Sequence, residues 1–188
     1  MDFSVSSYLE HLSHMVAKLD PAMVENAISL IRNAWNEKRQ VIVCGNGGSA
    51  STASHYITDW NKSIYLATGK GFRGSCLSDN TGLITAYAND ISYADIFSEQ
   101  LKNLMDEGDL VIAVSGSGNS PNVVRAMEWA NDNGGVTLAI CGYDGGKIKE
   151  LAQHSLWIES FDMQICEDLH FFFGHMVMKS LCGGQIRT

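Results

Sequence analysis

Five short apolar runs, alternating with segments of helical periodicity, constrain this chain more than its composition does. The runs are Val41 to Cys44, Gly74 to Leu77, Leu110 to Ser115, Val136 to Cys141 and Ser155 to Ile158, and they lack the polar alternation of a half-exposed strand. Helical patterns lie between them at 49–62, 79–88, 95–107, 121–132 and 145–152, and a long last one spans about 164–182. Strands without a polar side, alternating with helices, predict a parallel sheet covered by helices on both faces. Residues 4–37 read as two helices. The second starts with Asp20 as N-cap and Pro21 in the first turn, and carries Met23, Ala27, Ile28, Ile31 and Trp35 at helical spacing. With 188 residues, no internal repeat and no linker, the expectation is one α/β domain over residues 1–188.

Two of the runs end in loops suited to an anion. Val41 to Val43 leads into Cys44-Gly45-Asn46-Gly47-Gly48-Ser49-Ala50-Ser51, followed by a helical pattern carrying His55 and Asp59. Leu110 to Val114 leads into Ser115-Gly116-Ser117-Gly118-Asn119-Ser120-Pro121-Asn122, with Pro121 suited to a first helical turn. Glycines let the backbone approach a ligand, and the free amides and dipole of a helix start favour negative charge. Ligands of open parallel sheets bind at the carboxyl ends of the strands, where both loops fall. Two such cradles in one small domain point to a phosphorylated ligand. Neither loop is a P-loop or continues as a dinucleotide fingerprint, which disfavours ATP and NAD.

The net charge of −8 argues against broad binding to nucleic acid or to an anionic membrane, both of which need a basic face. A phosphate is then held by local amides and hydroxyls. Cys44, Cys76, Cys141, Cys166 and Cys182 show no paired spacing and several sit in apolar runs, as expected in a reducing cytoplasm. No apolar stretch approaches the roughly 20 residues of a membrane span, and the first residues carry no signal-peptide pattern, so a cytoplasmic protein is expected. The last helix places Leu169, Phe171, Phe172, Phe173, Met176, Met178 and Leu181 around most of its circumference. Such a helix must be covered, and a subunit interface is the preferred cover over the N-terminal helices.

With these residues in view, the chain resembles the sugar isomerase (SIS) domain family and, within it, the phosphoheptose isomerases. The likeness rests on Cys44 to Ser51 with His55 after it, Ala88-Asn89-Asp90 followed by Asp95-Ile96-Phe97-Ser98, Ser115 to Ser120, Gly142-Tyr143-Asp144-Gly145-Gly146-Lys147, and Glu167, His170 and His175 in the last helix. It implies a five-stranded, flavodoxin-like three-layer sandwich that forms homotetramers with active sites shared between chains. It also implies conversion of sedoheptulose 7-phosphate to D-glycero-D-manno-heptose 7-phosphate through an enediol. The phosphate is implied to sit on Ser49, Ser115, Ser117 and Ser120, with Asn46, Gly47, Gly48 and Gly116 lining the substrate site and Asn89 and Asp90 holding sugar hydroxyls. Zinc is implied on His55, Asp59, Glu167 and His175, with Asp59 or Glu167 as base and His175 as acid.

Spacing tests part of this. His55 and Asp59, at i and i+4, share one side of a helix and can clasp one ion. Glu167 and His175 are eight apart, a rise of about 12 Å, too far for easy sharing of one metal. Either Glu167 lies on an irregular first turn and reaches back, or it serves a neighbouring subunit; the sequence leaves both open. His170 reads as a packed core histidine, His11 and His14 as surface or interface residues, and the four tryptophans as packing. The chain also departs from the family pattern. Asp59 stands where Glu is usual, Glu167 where Gln is usual, Gly116 where a threonine is common, and Ser63 and Ile165 where basic residues are common. The acids make the metal site more anionic, and the lost cations bear on sugar specificity. The rival readings are a non-catalytic SIS adaptor of the kind that binds a replication initiator, an isomerase of another sugar phosphate, and a sugar-phosphate sensor without turnover.

Overall fold

A computed structural model describes residues 4–184. The Asp20-Pro21 signal opens a helix as expected: the Asp20 carboxylate accepts from the Ala22 amide and α2 runs Pro21–Asn36, after α1 at Val5–Lys18. The sheet strands are β1 (Val41–Gly45), β2 (Gly74–Cys76), β3 (Leu110–Ser115), β4 (Val136–Cys141) and β5 (His154–Trp157). The remaining helices are α3 (Gly48–Asp59), α4 (Tyr65–Thr68), α5 (Thr81–Asp90), α6 (Ser98–Leu104), α7 (Pro121–Asp132), α8 (Gly146–Leu151) and α9 (Met163–Leu181).

All strands pair in parallel in the order β2-β1-β3-β4-β5. This is the doubly wound arrangement in which chain direction across the sheet reverses between β1 and β3, opening a crevice at their carboxyl ends. Gly45 pairs with Val114 there, so the two predicted anion loops leave the sheet side by side. The apolar residues of the central strands alternate between two cores. Val41, Val43, Ile112, Val114, Leu138 and Ile140 pack with α2, α3 and α9, while Ile42, Cys44, Val111, Ala113 and Ala139 pack with α6, α7 and α8. The expected α/β three-layer sandwich is therefore present. A smaller cluster of Met15, Ile158, Ile165, Cys166 and Leu169 fixes α1 to α9.

Two helices differ from the sequence expectation by more than two residues at an end. The helix expected to end near 62 runs on through a π-helical turn, Trp60–Ile64, into α4, and stops only at left-handed Gly69. The wider turn keeps Trp60 and Ile64, both fully buried, on the core side. The helix expected over 95–107 is a short 3₁₀ turn, Tyr93–Asp95, followed by α6. Among the described residues, no helix is long and apolar enough to cross a membrane and all five cysteines are free thiols.

Candidate active site

The first loop and the start of α3 are built from glycines that different neighbours require. A Cβ at Gly45 would meet the Ser49 carbonyl at 2.7 Å, and Gly47 has a positive φ of 52°. Ser49 is buried in the first turn of α3 and Gly48 is exposed. The second loop is pinned to the turn before α8: the Ile148 amide donates to the Gly118 carbonyl at 3.1 Å and the Lys147 amide to Asn119 Oδ1 at 3.2 Å. Ser115 Oγ accepts from the Gly118 amide at 3.2 Å, Ser117 Oγ from the Asn119 amide at 3.4 Å, and Ser120 makes no side-chain cap. Among the described residues none of the three hydroxyls donates a hydrogen bond, so each proton is available to a ligand. Where the resembling family commonly has threonine, the space beside Gly116 is filled by the sulfur of Met163.

Two turns along α3 lies the second half of the site. His55 Nε2 stands 3.2 Å from Asp59 Oδ2, and His175 Nε2, from α9, stands 3.1 Å from His55 Nε2 and 3.7 Å from the same Asp59 oxygen. One ligand atom from each residue lies within 4.8 Å of the others. Phe171 stacks on the His55 ring at 4.4 Å between centroids and meets the His175 ring edge-on at 5.0 Å, which fixes both imidazoles. The pairing of α3 with α9 is set deeper down. The Tyr56 hydroxyl donates to the His170 carbonyl, Trp60 Nε1 donates to the Gly174 carbonyl at 3.0 Å, and the Tyr56 ring covers the bare Cα of Gly174.

Two imidazoles and a carboxylate aimed at one point are a donor set that suits zinc, with room for substrate oxygens. Glu167 is outside this group in the chain. Its carboxylate lies against Gly48, where a Cβ at that position would project, beside the amino end of α3. Helix α9 is continuous from Met163, so the irregular first turn that would let Glu167 reach back is not present. Among the described residues of one chain the candidate metal group therefore has one acid, not two.

Asn89 and Asp90 end α5, are exposed and bond to each other at 2.7 Å; among the described residues neither bonds to the loops. His170, expected as a hydrogen-bonded core residue, is fully buried with neither ring nitrogen in a well-formed hydrogen bond among the described residues, and burial, partly offset by the Cys141 backbone, pushes its pKa down to about 4. His11, read as a surface or interface residue, is exposed and faces Asp162 at 3.8 Å. Sequence reasoning missed Asn122 and Tyr93. Asn122 exchanges two 2.9 Å hydrogen bonds with Asn46, and the Tyr93 hydroxyl donates to Asn46 Oδ1 at 3.1 Å. A polar residue in the second position of a helix, directly after an anion loop, was the available signal for Asn122. An open cleft of about 500 Å³ runs beside α3, lined by Ser51, Ser54, His55, Thr58, Ser78 and Asp79 among others.

The SIS domain model matches residues 6–142. A phosphoheptose isomerase of Helicobacter pylori (strain P12) is 33% identical over 178 residues, covering 94% of this chain and 92% of that protein. The chain belongs to the SIS-domain phosphoheptose isomerase family. Another family member, from Citrifermentans bemidjiense, is 34% identical across 92% of this chain and 89% of that protein. In solved structures the same fold is seen in a phosphoheptose isomerase from Neisseria gonorrhoeae, with a TM-score of 0.86 at 24% identity, covering 94% of this chain and 96% of that one.

Proposed function

We propose that this chain interconverts sedoheptulose 7-phosphate and D-glycero-D-manno-heptose 7-phosphate. The observation that carries the reading is the separation of two chemistries along α3. Ser49 at the anion cradle and His55 at the candidate metal group are six residues apart, about 9 Å of helix. A sugar phosphate whose reacting carbons lie at the far end of a seven-carbon chain from its phosphate suits that separation.

The phosphate would be held by amides at the starts of α3 and α7 and by the hydroxyls of Ser49, Ser115, Ser117 and Ser120, with Asn46, Gly47, Gly48 and Gly116 forming the backbone cradle. His55, Asp59 and His175 fit a divalent ion, zinc by donor type, which when bound supplies Lewis acidity toward the oxygens on C1 and C2. Proton transfer needs a base to take the C1 proton of the ketose and an acid to return one to C2, while the hydroxyl proton on O1 is exchanged for one on O2. Asp59 is assigned the base, through the carboxylate oxygen that an ion would leave free, and His175 the acid, through the ring nitrogen that an ion would leave free. Asn89 and Asp90 are assigned to sugar hydroxyls. Glu167 is assigned to the phosphate end of the site in its own chain, or to the metal group of a neighbouring protomer.

A homotetramer with shared sites is part of the same reading. It is supported by Phe171 and Phe172, which stand 37% and 50% exposed on α9 next to the candidate metal group, and by Tyr65 and Leu66, which stand out from α4 at 55% and 72%. The free thiols suit a reducing cytoplasm, and the net charge of −8 opposes a nucleic-acid partner.

The test is turnover of sedoheptulose 7-phosphate by purified protein, followed by NMR, with chelator and with zinc restored. Conversion that chelator abolishes and zinc recovers is the expected result. Failure to convert with zinc present would reject the substrate, and conversion indifferent to chelator would reject the metal.

A further inference from the structure

The two anion loops leave adjacent strands, but beyond Gly45 and Val114 the sheet no longer fixes their separation. Each is anchored elsewhere: the first through Gly45, which bonds Ser78 Oγ, and the second to the turn before α8. Among the described residues, the side-chain link between them is the Asn46–Asn122 pair. Asn46 Nδ2 donates to Asn122 Oδ1 and Asn122 Nδ2 donates to Asn46 Oδ1, both at 2.9 Å. Two reciprocal amide bonds fix orientation as well as distance.

The pair is itself held. Asn122 is 1% exposed and its Oδ1 also accepts from the Val123 amide at 3.0 Å. Asn46 Oδ1 takes a second bond from the Tyr93 hydroxyl, and the turn carrying Tyr93 is tied back to α7 by Arg125 Nη1 on Asp95 Oδ2 at 2.6 Å. The carbonyl oxygen of Asn46 is thus committed to protein partners, which leaves that atom no part in gripping a ligand.

We infer that Asn122, through its amide pair with Asn46, sets the gap between the two anion-binding turns and so governs phosphate affinity without touching substrate. The inference rests on the reading that phosphate sits between these turns. A dianion needs donors from both turns at once, and a gap fixed in advance spares the ordering that binding would otherwise cost. Asn122 is a positioning residue: its loss should fall on KM and leave the proton-transfer machinery two helical turns away intact.

Asn122→Asp is the sharpest variant, because it keeps size and the Val123 bond but sets an oxygen against Asn46 Oδ1. The measurements are the Kd of inorganic phosphate by calorimetry, and KM, kcat and the pH profile with sedoheptulose 7-phosphate, alongside circular dichroism. Asn122→Asp should weaken phosphate and raise KM roughly tenfold, with kcat within about threefold and an unshifted pH profile. In a cycle with Asn46→Ala and Asn122→Ala, the double variant should be no worse than the weaker single one.

Ser120→Ala separates the two layers of the argument. If it weakens phosphate binding while folded Asn122→Asp does not, the positioning role is wrong and the phosphate site stands. If neither weakens it, the phosphate site is misplaced and the inference falls with it. Should Asn122→Ala fail to fold, Asn122→Asp and Asn46→Ala still decide; a fall in kcat with KM unchanged in either would overturn the inference.

Discussion

His55 Nε2 and His175 Nε2, 120 positions apart in the chain, stand 3.1 Å from each other with Asp59 Oδ2 within 3.7 Å of both. Two ring nitrogens at that distance share one proton, or turn both lone pairs toward one cation while the carboxylate balances its charge. The cation reading predicts a metal content near one per chain. His175→Ala should lose most of it and at least a hundredfold in kcat/KM, with the assembly unchanged by sedimentation. Asp59→Asn should also lower metal content; full retention of metal in that variant would break up the proposed ligand group.

Glu167 against Gly48 gives a second expectation. A carboxylate at the start of α3 is favoured by the helix dipole, but it occupies the surroundings in which a phosphate would gather its charge. At partly exposed positions such like-charge pairing costs about 1–2 kcal/mol. Glu167→Gln should therefore tighten binding of inorganic phosphate roughly tenfold in a calorimetric titration, more at low salt than at high. An unchanged Kd would place the phosphate elsewhere than beside Gly48.

Much of this was readable from the residues because the chemistry followed local rules. The three central strands, β1, β3 and β4, ran almost wholly apolar without alternation, both loops had glycines and hydroxyls suited to an anion, and His55 with Asp59 needed only the helical period to be placed on one side. What crossed between elements was not readable. The partner of Asn46 lies 76 positions later, and nothing local to Asn122 names it. The separation of Glu167 from His175 along their helix was legible in the spacing, but that the Glu167 carboxylate comes to lie against Gly48 was not. The π turn after Asp59 follows from packing Trp60 and Ile64 into the core, a tertiary demand that overrides the helical repeat.

At Gly174 the bare backbone of α9 packs directly against the Tyr56 ring of α3, with Tyr56 next in sequence to His55 and Gly174 next to His175 of the candidate metal group. The Tyr56 ring lies over its Cα and Trp60 bonds its carbonyl at 3.0 Å, with both aromatic side chains fully buried. A methyl here must push back a ring that has no free space behind it. Gly174→Ala should cost about 2–3 kcal/mol in urea unfolding, by overpacking, despite the gain in helix propensity. It should also loosen His175 from His55 and weaken metal binding; a variant as stable as the parent would show that α9 can slide without penalty.

His170 should make the fold acid-sensitive. Its ring is fully buried, neither nitrogen makes a well-formed hydrogen bond among the described residues, and burial, only partly offset by the Cys141 backbone, pushes its pKa down to about 4, against about 6.5 when exposed in the unfolded chain. Between those values the unfolded state binds a proton that the folded state refuses, so unfolding free energy rises with pH across that window. The contribution is complete above about pH 6.5 and is lost progressively as pH falls toward about 4, amounting to about 3 kcal/mol. Urea midpoints at pH 7.5 and pH 5 measure it, and His170→Leu supplies the control. That variant removes two unpaired polar atoms and the titration together, so its stability should depend less steeply on pH than the parent's. If parent and variant lose stability in parallel between those two values, the acid sensitivity belongs to other groups and the imidazole has found a partner in solution.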